Sequence, residues 1–173
     1  WSSDVCSSDL NQVDSEKLIG ALLADGMTPT DDASKADLVV VNTCAFIDEA
    51  RRESIDTILA LDDQRKKGAR LVVTGCMAER YGDELSEALP EVDQVAGFGV
   101  PVNLMAKPGR TSIPVTSAPL PTLDLLNLPR PKSASPWAYV KIAEGCDRNC
   151  GFCAIPSFRG PQRSRDLAAV LAE

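Results

Sequence analysis

The chain has 173 residues, of which 44% are hydrophobic and 25% are charged. This composition is ordinary for a globular protein, and the length allows one domain and part of a second. The formal net charge of −7 argues against direct binding of nucleic acid through bulk positive charge. We expect a cytoplasmic protein, because no run of ~18 apolar residues predicts a membrane span and no secretory leader is present. Histidine is absent, which excludes acid–base catalysis by imidazole and metal sites that need it.

Charge and proline are unevenly distributed along the chain. Residues 1–100 carry 20 acidic and 9 basic side chains, whereas residues 101–173 carry 5 acidic and 9 basic ones. Eight of the 12 prolines fall between Pro101 and Pro136, which is typical of a linker. We therefore predict a first domain over residues 11–105, a linker over 106–136 and a second domain that begins at 137. We expect that both ends of the chain are cut, so that residues 137–173 are a truncated piece.

The first domain alternates helical and strand patterns. The expected helices cover residues 14–26, 48–67 and 83–89, and Asp14, Ser15 and Glu16 are expected to cap the first of them. The expected strands cover residues 38–41, 71–73 and 92–98. In the second helix, the residues expected to face inward are Ala50, Ile55, Ile58 and Leu59. The strands at 38–41 and 71–73 are continuously apolar, which is typical of strands buried on both faces. This order predicts an α/β fold with three layers, in which helices cover both faces of a parallel sheet.

Two cysteines follow the two buried strands directly. Cys44 comes after the strand at 38–41, and Cys76 comes after the strand at 71–73. Ligands of open parallel sheets gather at the carboxyl ends of the strands, so both thiols are expected in one crevice. A buried structural role, as small apolar side chains, is the alternative for each cysteine.

A CxxxCxxC motif is formed by Cys146, Cys150 and Cys153. Three thiolates within eight residues can hold a cubane iron–sulfur cluster and leave its fourth iron open. The open iron is what S-adenosylmethionine needs for chelation by its amino and carboxylate groups. A zinc site is the alternative, although it would want a fourth cysteine or a histidine nearby. A disulfide framework is disfavoured because the three cysteines of the motif cannot all pair with one another, and because nothing indicates an oxidising compartment.

The residues around this motif predict a strand, a ligand-bearing loop and a helix. Residues 138–142 have a strand pattern, and residues 164–166 read as the cap of a following helix. This order is that of the first βα unit of a barrel, whose sites lie at the carboxyl ends of the strands.

The sequence resembles the radical S-adenosylmethionine methylthiotransferase family. Asn42–Phe46, Gly75–Ala78 and Glu144–Gly160 carry the resemblance, with aromatic Phe152 standing before the last cysteine of the motif. Within the family, Val13–Glu16 and Pro156–Gly160 are similar to the RimO type, which modifies an aspartate of the small-subunit ribosomal protein twelve. The alternative subfamily modifies an adenosine of tRNA.

The resemblance implies two 4Fe–4S clusters, with S-adenosylmethionine as a further cofactor. Cys146, Cys150 and Cys153 would hold the cluster that reduces S-adenosylmethionine, and Cys44 and Cys76 would hold an auxiliary cluster that supplies sulfur. The reaction would be hydrogen abstraction from the aspartate β-carbon followed by transfer of a methylthio group. An electron donor such as flavodoxin or ferredoxin would be a partner.

The resemblance also implies cofactor contacts from side chains around the motif. Phe152 would lie against the nucleoside, with a core aromatic that lines the barrel as the alternative. Arg159 would contact the cofactor or substrate, as would Arg163 and Arg165, with a solvated basic face as the alternative for the three arginines.

Residues 1–10 depart from the family pattern. The position of the third auxiliary ligand is occupied by Ser8, and Cys6, two residues away, is a doubtful replacement. The segment repeats Ser-Ser-Asp and lacks the apolar strand expected there, so we predict that it is a foreign segment. The chain itself is expected to be inactive without the rest of the barrel. Two other classes stay open: an iron–sulfur electron-transfer module and a zinc-binding interaction domain.

Overall fold

The computed structural model describes residues 2–4, 9–98, 100, 102, 109–111, 126–132 and 136–173. The strands are β1 Ser2–Asp4, β2 Leu38–Thr43, β3 Arg70–Gly75, β4 Gln94–Ala96, β5 Gly109–Thr111, β6 Ala143–Glu144 and β7 Arg163–Ser164. The α-helices are α1 Asp9–Ala24, α2 Asp48–Gln64, α3 Cys76–Ala88, α4 Ile155–Arg159 and α5 Leu167–Ala172. A short 3₁₀ helix covers Ala33–Lys35. Among these helices, none combines the length and the apolar character needed to cross a bilayer.

The first five strands form one sheet in the order β1-β2-β3-β4-β5, and every neighbouring pair is parallel. Alternate residues of β2 face opposite layers, as the pleat of a strand requires. Val39 and Val41 pack with Ile58 of α2 and Leu85 of α3 on one face. The other face carries Leu38 and Val40, which pack with Leu18 of α1. The α/β fold with a three-layer parallel sheet is therefore confirmed.

The boundaries of the helices differ from the predictions. The helix α1 begins at Asp9, ahead of the predicted cap at 14–16, and α3 begins at Cys76, seven residues before the predicted start. Ser15, which was predicted to cap α1, is buried and accepts a hydrogen bond from the side chain of Asn42 at 2.7 Å. In α2, Ala50 and Ile58 face inward as predicted, but Leu59 is 39% exposed, so its predicted burial is wrong.

The first strand is a second difference between the structure and the predictions. Residues 2–4 form a strand and pair with residues 40–42, although no strand pattern was recognised there. The helix α1 joins β1 to β2 across the face opposite to α2 and α3, while the strand order advances in the same direction. The β1–α1–β2 crossover therefore has the opposite hand to the next two. About 98% of such crossovers are right-handed, so this arrangement of β1 is unusual.

The second segment, residues 136–173, differs from the predicted βα unit. Residues 138–142 were predicted as a strand, but they lie outside any strand, and only Ala143 and Glu144 pair, antiparallel to β7. The helix α5 follows Asp166 as predicted, although the Asp166 side chain makes no capping hydrogen bond. Most of the predicted linker, residues 106–136, lies outside the described residues.

Buried charges connect the second segment to α1. Lys17 is fully buried, donates to the carbonyl of Leu126 at 3.1 Å and pairs with the Glu173 carboxylate at 3.3 Å. Arg130 pairs with the same carboxylate at 3.2 Å, and Arg165 pairs with it as well. Three cations from separate parts of the chain thus converge on Glu173.

Candidate functional site

Cys44 and Cys76 lie at the same edge of the sheet. The residues that precede them, Thr43 and Gly75, are direct partners in the β2–β3 register. Both cysteines are 7% exposed and neither forms a disulfide. The predicted placement of both thiols at the carboxyl ends of adjacent parallel strands is therefore confirmed, and their ligand role stays a prediction.

Gly75 permits the close approach of the two strand ends. Its φ of +95° is a conformation that L side chains rarely adopt. A Cβ atom at this position would lie 2.3 Å from Oδ1 of Asn42 and 2.5 Å from the carbonyl oxygen of Thr43. Only glycine fits here, and the chain passes directly from it into Cys76.

The backbone of Cys44 is fixed from the α2 side. Its N–H donates to Oγ of Ser54 at 3.3 Å, and the Ser54 hydroxyl donates to the carbonyl of Ala50 at 2.8 Å. Ser54 is completely buried, so this chain of two hydrogen bonds is shielded from water. It ties the segment that carries Cys44 to the first turns of α2.

The CxxxCxxC motif occupies a loop between β6 and α4 that is closed at its base. The N–H of Cys146 donates to the carbonyl of Gly160 at 3.1 Å. Gly145 adopts a φ of +74°, and a Cβ atom there would lie 2.2 Å from the carbonyl oxygen of Pro161. Asp147 accepts a hydrogen bond from the N–H of Gln162 at 2.9 Å. These contacts hold the start of the loop, residues 145–147, against residues 160–162, which follow α4.

The three thiols of the loop are more accessible than Cys44 and Cys76. Cys146 and Cys153 are half-buried, Cys150 is exposed, and the N–H of Cys153 donates to the carbonyl of Cys150 at 3.1 Å. Phe152 is 92% exposed in the described part of the chain, and a barrel-lining role stays the alternative. Its role against a nucleoside stays a prediction.

Arg159, in the last turn of α4, joins this loop to the sheet edge. One terminal nitrogen contacts Glu144 at 2.9 Å and Asp14 at 3.0 Å, and the other donates to Sγ of Cys76 at 3.1 Å. Its guanidinium carbon lies 5.3 Å from the ring centroid of Phe98. The residue is only 6% exposed, so its charge is satisfied inside the protein.

Lys141 completes this charge network, because its ammonium group contacts both Asp14 and Glu144. Two carboxylates are thus shared by two cations, and all four side chains are nearly or completely shielded from water. We call Asp14, Lys141, Glu144 and Arg159 the charge network below. It connects α1 with both sides of the thiol loop.

The electrostatics of the site follow from burial and from these pairs. Burial raises the pKa of the Cys76 thiol, although the positive charge of Arg159 opposes the rise. Burial also disfavours the charged form of Glu144, but Arg159 and Lys141 outweigh it and leave the pKa of that carboxyl lowered. The pKa of Arg159 is raised because Cys76, Asp14 and Glu144 outweigh the effect of burial. The carboxylate and the guanidinium therefore stay charged at neutral pH.

A solvated basic face, the alternative for the three arginines, is wrong for two of them. Arg159 is buried in the charge network, and the Arg165 side chain is nearly buried and donates to the carbonyls of Lys141 and Ala169, each at 3.0 Å. Arg163 lies half-buried in β7. Contacts of these arginines with a cofactor or substrate stay predictions.

The charge network as a unit was not predicted from the sequence. Asp14 was assigned to a helix cap, Lys141 to a strand and Glu144 to a family motif. The spacing of Lys141 and Glu144, three residues apart and directly before the CxxxCxxC loop, was the available signal.

The three thiols of the CxxxCxxC loop fit an iron–sulfur cluster by their chemistry, and none of the five described cysteines is in a disulfide. Three of them share one loop and two share one sheet edge. Among the described residues, no three cysteine, aspartate or glutamate side chains lie close enough together to hold a metal ion. Cys6, the doubtful third auxiliary ligand, and Ser8 lie outside the described residues.

Comparison with known proteins agrees with the resemblance. A family model described as "Uncharacterized protein family UPF0004" matches residues 6–97. The chain is 45% identical over 170 residues to the ribosomal protein uS12 methylthiotransferase RimO of Desulfosudis oleivorans, and the alignment covers 94% of this chain and 39% of that protein. The RimO protein of Kineococcus radiotolerans is 41% identical, with 94% and 41% covered, and that of Helicobacter pylori is 42% identical, with 97% and 37% covered.

This chain spans about two fifths of the length of these relatives. The family match covers more than half of the chain, and the relatives extend the similarity over the CxxxCxxC segment. The chain therefore belongs to the uncharacterized protein family UPF0004, and its similarity is to methylthiotransferases of the RimO type.

Proposed function

We propose that the protein to which this chain belongs methylthiolates the β-carbon of an aspartate in ribosomal protein uS12. The identity of 41–45% to proteins named ribosomal protein uS12 methylthiotransferase is the observation that carries the proposal. Because the chain spans about two fifths of those proteins, the activity is assigned to the whole protein. Because the proposed substrate is a ribosomal protein, we infer that the reaction takes place in the cytoplasm.

The CxxxCxxC loop is the proposed site of the first 4Fe–4S cluster. Cys146, Cys150 and Cys153 stand on one loop whose base is closed, and each has some access to solvent. Exposed Phe152 stands beside the last thiol, where an aromatic face can lie against a nucleoside. When bound, a cluster with an open iron supplies the electron that cleaves S-adenosylmethionine, and the radical formed removes hydrogen from an unactivated carbon.

Cys44 and Cys76 are the proposed ligands of the second, auxiliary cluster, which would supply the sulfur. Their burial at the end of β2 and β3 provides a site that excludes water, as a reactive sulfur species requires. Arg159 and the charge network hold the thiol loop against this edge of the sheet. The role of the described residues is thus to orient the two thiol sites relative to each other. The proposed reaction also needs an external one-electron donor of the flavodoxin or ferredoxin type.

Deletion of the encoding gene tests the proposal. The masses of ribosomal proteins and of tRNA nucleosides are compared between the deletion strain, the parent strain and three complemented strains. The first complementing gene is intact, the second carries Cys150→Ala, and the third carries Arg148→Ala as a matched change of an exposed residue on the same loop.

Loss of a methylthio group from uS12 alone, restored by the intact and Arg148→Ala genes but not by Cys150→Ala, is the expected result. Loss from a tRNA nucleoside instead would contradict the uS12 assignment and leave the thiol sites in place. Unchanged masses in every strain would contradict methylthiolation itself.

A further inference from the structure

We propose that Arg80 binds the carboxylate of the substrate aspartate, and that Tyr81 and Arg51 hold the Arg80 side chain in place. The inference rests on the proposed function, because it takes an aspartate of uS12 as the substrate. It adds a substrate-binding residue from the first domain to the thiol sites described above.

The three side chains lie in the first two turns of α2 and α3. These helices follow the neighbouring strands β2 and β3, so their amino-terminal turns start at the edge of the sheet that carries the cysteines. Arg80 comes one helical turn after Cys76, and helical side chains tilt toward the amino terminus of their helix. The long Arg80 side chain can therefore reach a group bound at this edge.

The Tyr81 ring has a guanidinium group from each helix beside it. The guanidinium carbon of Arg80 lies 4.9 Å from the ring centroid, and that of Arg51 lies 5.6 Å from it. Arg51 also donates to the Tyr81 hydroxyl at 2.7 Å and pairs with the carboxylate of Asp48. Two cations beside one ring repel each other unless negative charge lies close to them. Asp48 provides that charge for Arg51, and a bound anion would provide it for Arg80.

Arg80 and Tyr81 both present hydrogen-bond donors that no described residue uses. The Arg80 guanidinium is exposed, and within the described part of the chain its contact is the Tyr81 ring, without an ion pair or a hydrogen bond. The Tyr81 hydroxyl accepts from Arg51, so its own proton can be donated to a ligand. A planar fork of N–H groups next to an O–H group matches a carboxylate, which accepts hydrogen bonds at both oxygens.

The charge of the first domain favours a protein carboxylate over the phosphates of RNA. Residues 1–100 carry 20 acidic and 9 basic side chains, so the domain repels the polyphosphate backbone of a nucleic acid. A protein of the ribosome neutralises RNA phosphates with basic side chains, and an acidic domain attracts those same side chains. In this acidic surface Arg80 is a local cation, as recognition of one aspartate requires.

The test measures binding of uS12 by the whole protein to which this chain belongs. The uS12 is purified from the deletion strain, so its aspartate is unmodified, and a second form carries asparagine at that position. Dissociation constants for both forms are measured with the parent protein and with Arg80→Gln, Arg80→Lys and Tyr81→Phe. Arg52→Gln removes an exposed arginine of the neighbouring helix α2 and is the matched control. A fragment of ribosomal RNA is the second probe.

Arg80→Gln should weaken binding of uS12 by about tenfold or more, because one charge-assisted hydrogen-bonded pair is lost. Arg80→Lys, which keeps the charge without the fork, and Tyr81→Phe should weaken it less. Arg52→Gln should stay within about twofold of the parent protein. With the asparagine form of uS12, Arg80→Gln should cost less than about twofold, because the partner carboxylate is already absent. Binding of the RNA fragment should be the same in all variants.

Two results would overturn the inference while the proposed function stands. One is an Arg80→Gln protein that binds uS12 as tightly as the parent does, or that loses the same affinity for both forms of uS12. The other is weaker RNA binding with unchanged uS12 binding, which would assign Arg80 to a phosphate. A parent protein that binds no uS12 would contradict the proposed function and the inference together.

Discussion

Arg159 donates a hydrogen bond to the sulfur of Cys76 at 3.1 Å, across 83 residues of sequence. One residue belongs to the CxxxCxxC segment and the other to the edge of the parallel sheet. The contact is buried and accompanied by two carboxylates, Asp14 and Glu144. The two thiol-bearing parts of the chain are therefore joined by charge and hydrogen bonding as well as by apolar packing.

Replacement of Arg159 by Met should destabilise the fold. The change leaves Asp14 and Glu144 buried with Lys141 as their single cation, and breaking a buried pair in this way costs about 3–5 kcal/mol. The free energy of unfolding in urea is the measurement. Arg148→Met, at an exposed position, should stay within about 0.5 kcal/mol of the parent chain. Equal stability of the two variants would show that the charge network contributes nothing net.

Gly75→Ala should destabilise more than Gly68→Ala, although both glycines have positive φ. A Cβ atom at Gly68 has no neighbour within 4 Å, so only backbone strain of about 1–3 kcal/mol is expected. At Gly75 a Cβ atom also collides with Asn42 and Thr43. Denaturant unfolding of both variants measures the difference. A Gly75→Ala variant as stable as Gly68→Ala would contradict the close approach at the cysteine edge.

Ser54→Ala should cost about 1–3 kcal/mol, because it leaves the buried N–H of Cys44 without its acceptor. The control is Ser157→Ala, which removes an exposed hydroxyl that donates to the carbonyl of Ala154. Amide hydrogen exchange at Cys44 should accelerate in the Ser54 variant alone. Unchanged exchange there would mean that the Cys44 backbone is held by other contacts.

Acid should weaken the docking of the second segment through Glu173. Burial works to raise the pKa of this carboxyl, but Arg165, Lys17 and Arg130 outweigh it and leave the pKa lowered from its ordinary value of 4.5. A carboxyl whose pKa is lowered in the folded state contributes stability above the unfolded value, which is lost as pH falls through the folded value.

Unfolding free energies of the parent chain and of Glu173→Gln should therefore differ at pH 7, and the difference should shrink as pH falls below the ordinary carboxyl value of 4.5 toward the lowered folded value. Glu87→Gln, at an exposed site, serves as the control. A constant difference between parent and Glu173→Gln from pH 7 to pH 3 would contradict this role of the carboxylate.

Sequence patterns predicted the sheet and the placement of its cysteines well. The apolar runs that became β2 and β3 are buried on both faces, and a strand of this kind is recognised locally by its side chains. Because Cys44 and Cys76 directly follow these strands, parallel pairing alone brings them to one edge. In the structure Thr43 pairs directly with Gly75, which agrees with this expected placement.

The charge network could not be predicted in the same way. Its members come from α1, β6 and α4 and from the segment before β6, and no local pattern specifies that Asp14 meets Lys141 and Arg159. The predictions for Leu59 and for residues 138–142 were wrong for a related reason. The apolar character of these residues specified neither burial nor strand pairing. Tertiary contacts decided these positions.

The foreign origin of residues 1–10 stays a prediction. Sequencing of the source gene across residues 1–11 checks it, and the same ten codons in an intact genome would contradict it.

Iron analysis of the anaerobically reconstituted chain tests the central claim most directly. The CxxxCxxC loop should bind about four iron atoms as a 4Fe–4S cluster, with S-adenosylmethionine altering its paramagnetic resonance spectrum. Cys150→Ala should abolish this iron and the spectral response, whereas Cys44→Ala should leave both in place. Zinc in place of iron, or a Cys150→Ala chain that keeps its iron and its response, would contradict the account.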